Sequence, residues 1–326
     1  MYGRGSDVTE YGFATGRVMV LRTRLLGRSA YERLLDAPTF EDQRRVLTET
    51  HFGRFLDGVR TPSDVERAVD ESLRDLYDDF LHSAGLPTAV IAFFETPYDF
   101  SALKSALRAR LLGVRVSAAP VALGAVAAEA FDSLETLPGA LGKAARSALV
   151  AGPEAGAEAI DASVDAALYA ELARLARESR IHLLVRLVAR LADAANAKVL
   201  LRCAIAGRSA ADARSMLVPG GEWDASRAAT RVNDPMGLAE AIIRARVLGA
   251  EDPSDLLDLE RLDVVVDAAT AALEREAARG PIGPEPVLGY VLQRRAEAVT
   301  VRAVLVGRLA GLPRELVASR VRVMAS

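Results

Sequence analysis

The chain has 326 residues, a formal net charge of -3 and a single cysteine, and these values exclude several classes of protein. A chain so close to neutral, with its basic residues spread out, gives no electrostatic basis for binding nucleic acid. The one cysteine, Cys203, rules out an intrachain disulfide framework, and its apolar surroundings predict a small buried side chain. Apolar residues make up 51% and aromatic residues 5%, a balance typical of a helical protein.

The chain shows no targeting or membrane-spanning segment. Its first residues contain no apolar core of the kind that a signal peptide needs, and no window is apolar enough over its whole length to cross a bilayer. We therefore expect a soluble, cytoplasmic protein that inserts into no membrane directly.

Hydrophobic spacing and capping signals predict a series of helices. Four glycines within residues 1–16 indicate a loose lead-in, followed by a helix from Arg17 that ends before Pro38. Thr39 and Thr61 are predicted N-caps, and Pro97 is expected just before a later helix. The remaining predicted helices cover residues 40–50, 65–83, 160–177, 184–207, 238–248, 253–279 and 287–307, with a short one after 313. No pair of segments has the alternation and turn signals of a β-hairpin, so the predicted fold class is all-α.

One spacing pattern occurs three times. An acid is followed five residues later by a base and, nine residues after the base, by a glycine; the copies are Asp99/Lys104/Gly113, Asp193/Lys198/Gly207 and Glu297/Arg302/Gly311. We expect the acid near the positive N-terminal turn of its helix and the glycine as a left-handed C-cap. A step of five does not align acid and base on one helix face, so the pattern is interpreted as a packing and termination signature rather than as ion pairs.

A second set of positions recurs with the first. Acids spaced by four residues lie on a predicted long helix before each copy, as Glu66/Asp70, Asp161/Asp165 and Asp263/Asp267. The first acid of each pair precedes the acid of the following motif by 33, 32 and 34 residues. This near-constant interval predicts three homologous helical repeats, covering residues 1–113, 114–207 and 208–326.

Motifs for catalysis or cofactor binding are weak throughout. The string from Gly139 to Ala144 lacks the spacing and the hydroxyl of a phosphate-binding loop, and the three histidines His51, His82 and His182 lack metal-ligand spacing. The segment from Asp78 to His82 is similar to the DDxxD box of all-α prenyl-chain enzymes but has a histidine in place of the third carboxylate. A solvated helix face explains it more simply, and a magnesium-dependent synthase using Asp75, Asp78 and Asp79 is the third hypothesis. We expect no catalytic residue, cofactor, bound metal or small-molecule substrate.

Several short segments, taken in order and spacing, point to a known family. They are residues 11–27, 98–108, 198–202 with 216–221, 288–292 and 302–313, which together extend over essentially the whole chain. In this respect the chain resembles the C subunit of the bacterial and archaeal V/A-type ATPases, a relative of the d subunit of the eukaryotic vacuolar enzyme. Residues 100–102 and 194–197 depart from the more common family pattern.

This resemblance implies three helical repeats arranged as a funnel around a pseudo-threefold axis. It also implies a non-catalytic central-stalk (rotor) protein at the cytoplasmic face of the membrane, coupling a shaft of the D and F subunits to the membrane rotor ring for proton or sodium translocation. Candidate partner-binding residues are Arg17, Arg22, Arg24, Pro219, Gly220 and Gly221, chosen as basic helix positions and a loop that could lie at a rim. The alternative is a stand-alone α-helical scaffold for another protein.

Overall fold

In the computed structural model, which describes residues 6–113, 123–277 and 283–321, every regular element within these ranges is helical. The all-α fold class predicted from the sequence is thus confirmed. The α-helices are, in chain order, α1 (Ser6–Leu21), α2 (Arg28–Asp36), α3 (Phe40–Leu47), α4 (Pro62–Leu76), α5 (Thr88–Leu112), α6 (Gly139–Ala151), α7 (Gly156–Glu178), α8 (His182–Ile205), α9 (Ala210–Ser215), α10 (Ala225–Ala228), α11 (Pro235–Arg244), α12 (Pro253–Leu257), α13 (Leu259–Ala277), α14 (Pro284–Leu309) and α15 (Arg314–Arg320).

The chain divides into two compact units. Unit 1 joins residues 1–86 to residues 271–326, and unit 2 is residues 87–270. In unit 1, α14 packs along α4 and α1 and also contacts α3 and α15, and α2 packs against both α3 and α15. Buried residues on α4 recur at helical spacing, as in Val65, Val69 and Leu73, and bury one face of that helix in the core.

Two hydrophobic cores are formed by described residues of unit 2. In the first, Phe100, Leu103 and Leu107 of α5 pack against α6 and α7. In the second, the Ala- and Leu-rich half of α8 that follows Ala194 packs against α10 to α13. Small side chains such as alanine bring the helix backbones close together, and the cores are correspondingly poor in aromatic residues.

The capping residues predicted at helix ends are confirmed at the following positions. Thr39 accepts a hydrogen bond from the Asp42 backbone, and Thr61 forms a reciprocal capping box with Asp64, with Pro62 at the first helical position. The three motif glycines all have positive φ, with values of 64° at Gly113, 65° at Gly207 and 68° at Gly311. The prediction of left-handed C-caps is therefore confirmed.

Several local predictions were wrong. The segment predicted as one helix over 253–279 is divided into α12 and α13 at Asp258, whose extended backbone ends α12. The expected loose lead-in is helical from Ser6, because Tyr11, Ala14 and Val18 bury one face of α1 and this packing outweighs the low helix propensity of its glycines. Pro97 lies inside α5 rather than before it. Buried side chains on both sides of the proline, including Phe94 and Phe100, hold the helix together there despite the missing N–H.

Candidate functional site

The three motif acids each hold a loop against a helix. Asp99 Oδ1 accepts the Val126 N–H at 3.1 Å and its Oδ2 accepts the Ala125 N–H at 3.3 Å. Asp193 Oδ1 accepts the Trp223 N–H at 3.0 Å, and Glu297 accepts the N–H of Leu26. The acids were expected in the first turn of their helices and instead lie in the middle, because α5, α8 and α14 begin well before them.

Burial changes the electrostatics of these acids. Desolvation raises the pKa of Asp99 to about 6 and that of Glu297 to about 7, and it also raises the pKa of Asp193. In unit 2 the loop approaches each acid through a glycine. A Cβ at Gly221 would lie 2.1 Å from Asp193 Oδ1, and Gly124 stands in the same relation to Asp99.

The motif bases are joined to the acid pairs that recur with them. Lys104 Nζ lies 2.5 Å from Asp165 Oδ1. Arg302 Nε lies 2.6 Å from Glu66 Oε2, and another of its nitrogens donates to Asp70. The remaining pairs of this kind are Arg108 with Asp161, and Lys198 and Arg202 with Asp263. The acid and base of one motif do not pair with each other in these contacts, yet the bases do form ion pairs, so the interpretation as packing and termination alone was incomplete.

Each of these contacts joins a motif helix to another helix of the same unit. Helix α5 is tied to α7, α8 to α13, and, within unit 1, α14 to α4. In unit 2, Lys104 and Asp165 are 61 positions apart and Lys198 and Asp263 are 65 apart, whereas Arg302 and Asp70 in unit 1 are 232 positions apart. The same double tie, acid to loop and base to helix, is therefore made three times in the chain.

Unit 1 contains an additional buried polar group that sequence reasoning missed. The Arg294 side chain is 2% exposed and donates to Ser72 Oγ at 2.8 Å and to Glu297 at 3.3 Å, with its guanidinium 4.7 Å from the Phe52 ring centroid. Burial, with the charge of Arg294 contributing, lowers the pKa of His51 to about 4. This arginine offers no motif because Ser72 and Phe52 lie on other parts of the chain, far away in sequence, and only Glu297 is a near neighbour.

The three predicted partner-binding arginines have different environments in unit 1. Arg17 donates to Ser83 Oγ and to the Asp79 carbonyl, both at 2.6 Å. Arg22 donates to the Pro286 carbonyl at 3.2 Å. Arg24 is exposed at the end of the short 3-10 turn that follows α1.

The predicted loop residues Pro219, Gly220 and Gly221 lie in unit 2 next to α8. Val218 exchanges two hydrogen bonds with the buried Asn196 amide, at 2.8 and 2.9 Å, and Gly221 packs against Asp193. Gly220 has φ of 98°, which favours glycine. These contacts give the loop a structural role in addition to any role in binding a partner.

The residues considered for catalysis or metal binding have different partners. Asp75 pairs with Arg54, Asp78 lies 3.8 Å from His82, and the buried Cys203 packs in the second core of unit 2. Among the described residues, no group of three or more His, Cys, Asp and Glu side chains comes close enough to hold a metal ion. None of the helices in the described ranges is long and apolar enough to cross a membrane.

Comparison with known families identifies the class of protein to which these tied helices belong. The family model for the ATP synthase (C/AC39) subunit matches residues 14–320, which include all three motif copies. The chain belongs to this family. The V/A-type ATPase resemblance seen in the sequence is thus confirmed.

Two curated members of the C/AC39 family are similar to the chain. The C subunit of the A-type ATP synthase of Thermococcus kodakarensis is 26% identical over 233 residues, 66% of this chain and 63% of that protein. The C subunit of the A-type ATP synthase of Methanocaldococcus jannaschii is 23% identical over 113 residues, 33% of this chain and 28% of that protein. The matches thus span less than two thirds of the length of either relative.

Proposed function

We propose that the chain is a non-catalytic, load-bearing subunit of the central stalk of a V/A-type ATPase, at the cytoplasmic face of the membrane. In this role it joins a shaft made of the D and F subunits to the membrane rotor ring and passes rotation between them. The observation that carries the proposal is the double tie made three times along a chain of the C/AC39 family. A body that transmits torque needs helices that cannot slide, and directional hydrogen bonds and ion pairs between helices resist sliding better than apolar contacts alone.

The proposal includes three repeats around a pseudo-threefold axis, shaped as a funnel. It is supported by the order of the ties, since the acids of the first two motifs bind loops that follow them, whereas Glu297, in the last motif, binds Leu26 near the start of the chain. Such an order is what a cyclic arrangement of repeats would produce.

Deletion of the gene in the host tests the coupling role. Inverted membrane vesicles from the deletion strain are expected to lose ATP-driven uptake of the ion that the enzyme moves, proton or sodium, while ATP hydrolysis by the catalytic head continues. Expression of the wild-type chain restores uptake. Vesicles that still pump ions without the chain would refute the proposal.

A pull-down with tagged protein identifies the partners. The D and F subunits and the rotor ring are expected to co-purify from native membranes solubilised in mild detergent. Capture of one unrelated protein, with no ATPase subunit present, would favour the stand-alone scaffold instead.

A further inference from the structure

The outward side of α1 is apolar where a surface helix is normally polar. Phe13 and Val20 are each 69% exposed and Met19 is 54% exposed, with Gly12 and Gly16 exposed among them. We call these five residues the α1 outer face. The opposite side of α1 is buried in unit 1, so the helix already has one packed face and presents a second apolar one.

Nothing in the described part of the chain requires glycine at Gly12 or Gly16. A Cβ added at either position would meet no heavy atom of the described residues within 4 Å, and neither residue has a positive φ. Some other glycines are required by close contacts, as at Gly142, where a Cβ would lie 1.8 Å from the Leu137 carbonyl oxygen, and Gly27 and Gly249, which also meet no neighbour, lie outside helices. Glycine in the middle of a helix weakens it relative to alanine, so the pair at Gly12 and Gly16 indicates close approach by something outside the chain.

The sequence from the start of this face onward is rich in arginine. Residues 11–31 contain four arginines and no acid, between Glu10 on one side and Glu32 on the other, within a chain whose net charge is -3. Arg17 and Arg22 are turned toward other parts of unit 1 by their hydrogen bonds, and Arg28 pairs with Glu32. Arg24 is exposed one helical turn beyond Val20, so a partner that lies along the face meets a positive charge at its end.

We propose that the α1 outer face binds lengthwise against a helix of the central shaft, and that this helix carries a carboxylate positioned to meet Arg24. The proposal rests on the proposed function and names the surface of the chain that the shaft contacts. From Gly12 to Val20 the face extends about 12 Å, or two helical turns. Glycines one turn apart suit a partner backbone that runs along α1, whereas a lipid surface gains nothing from them.

Binding of the purified D/F complex to the full chain tests the surface, measured by biolayer interferometry at two salt concentrations. Gly16→Leu and Val20→Asp are expected to weaken binding at least about tenfold, as substitutions at the centre of an interface do. Arg24→Glu is expected to weaken binding and to reduce its salt dependence. Val150→Asp and Arg177→Glu make the same changes at exposed positions in unit 2 and are expected to bind as the wild type does.

A second measurement separates binding from folding. The double variant Gly12→Ala/Gly16→Ala is expected to melt at a higher temperature than the wild type and yet to bind the shaft more weakly. A purely structural role of the glycines would not move these two readouts in opposite directions. If Gly16→Leu fails to fold, the exposed variants Val20→Asp and Arg24→Glu decide the question.

The possible outcomes distinguish the two proposals. If the wild-type chain binds neither the D/F complex nor the solubilised ring, the proposed function fails and this inference fails with it. If the wild type binds the D/F complex and the α1 variants bind equally well, only the inference is overturned. The inference would also be overturned if the variants bind the shaft as the wild type does but lose another interaction. That interaction could be with the ring, with phosphatidylglycerol vesicles, or with a second copy of the chain as measured by sedimentation.

Discussion

The ion pair between Arg302 and Asp70 should couple its two side chains more strongly than an ordinary surface pair does, because it is half-buried. The two side chains are 30% and 15% exposed, against 73% and 60% for Arg28 and Glu32 on α2. Opposite charges about 4 Å apart near a protein surface attract by about 4 kcal/mol before desolvation and lost side-chain entropy are subtracted. We expect a net coupling of about 1–2 kcal/mol for the first pair and about 0.3–0.5 kcal/mol for the second.

Two double-mutant cycles measure these values. One uses Arg302→Met and Asp70→Asn, singly and together, and the other uses Arg28→Met and Glu32→Gln as the matched control. Glu66 is kept in all variants, so its contact with Arg302 cancels within the first cycle. The free energy of unfolding comes from urea denaturation at pH 7. A coupling for Arg302 and Asp70 no larger than that of the control pair would refute the claim that this tie fastens α14 to α4.

Three further predictions concern stability. Gly221→Ala should lower the free energy of unfolding by about 2–4 kcal/mol, because its Cβ would displace Asp193 Oδ1 from the loop N–H groups. The control is Gly249→Ala, whose Cβ meets no described neighbour. Equal losses in the two variants would contradict the reasoning. The free energy of unfolding of the wild type, relative to that of Asp99→Asn, should fall by about 1–3 kcal/mol as the pH rises from 4 to 6 in urea titrations. The reason is that the pKa of Asp99 is about 6 in the folded state and 3.8 in the unfolded state, so the folded state loses its proton at a higher pH. A constant difference would show that burial does not perturb this carboxyl. Gly12→Ala and Gly16→Ala should each raise the free energy of unfolding by about 0.5–1 kcal/mol, and a loss would show that this side of α1 is not open.

Structural features that depend on contacts within a few residues could be predicted from the sequence. The caps at Thr39 and Thr61 and the left-handed glycines at the ends of α5, α8 and α14 depend on contacts within four or five positions. The lead-in was mispredicted for the opposite reason. Its helix depends on packing against α14, which lies more than 260 residues away, and such packing overrides the propensity of Gly12 and Gly16.

The ties themselves could not be derived from spacing alone, although a signal was present. Two of the motifs carry bases four residues apart, Lys104 with Arg108 and Lys198 with Arg202, and each acid pair is also spaced by four. Matching spacings on two helices indicate that the helices can pair side by side, but they do not say which helix pairs with which. Only the fold shows that the bases of α5 meet the acids of α7.

The buried acids say more about the kind of stability than about its amount. Burial raises the pKa of Asp99, Asp193 and Glu297, so the ionised form of each side chain is less stable in the folded chain than in water. Apolar side chains of similar volume can stabilise a core as well or better. What an apolar side chain cannot supply is a directional contact, whereas the hydrogen bond from a loop N–H to a carboxylate sets one position of the loop along the helix. Placing such acids at the same position in three long helices therefore favours a molecule in which resistance to sliding matters more than total stability, as the proposed role in the rotor requires.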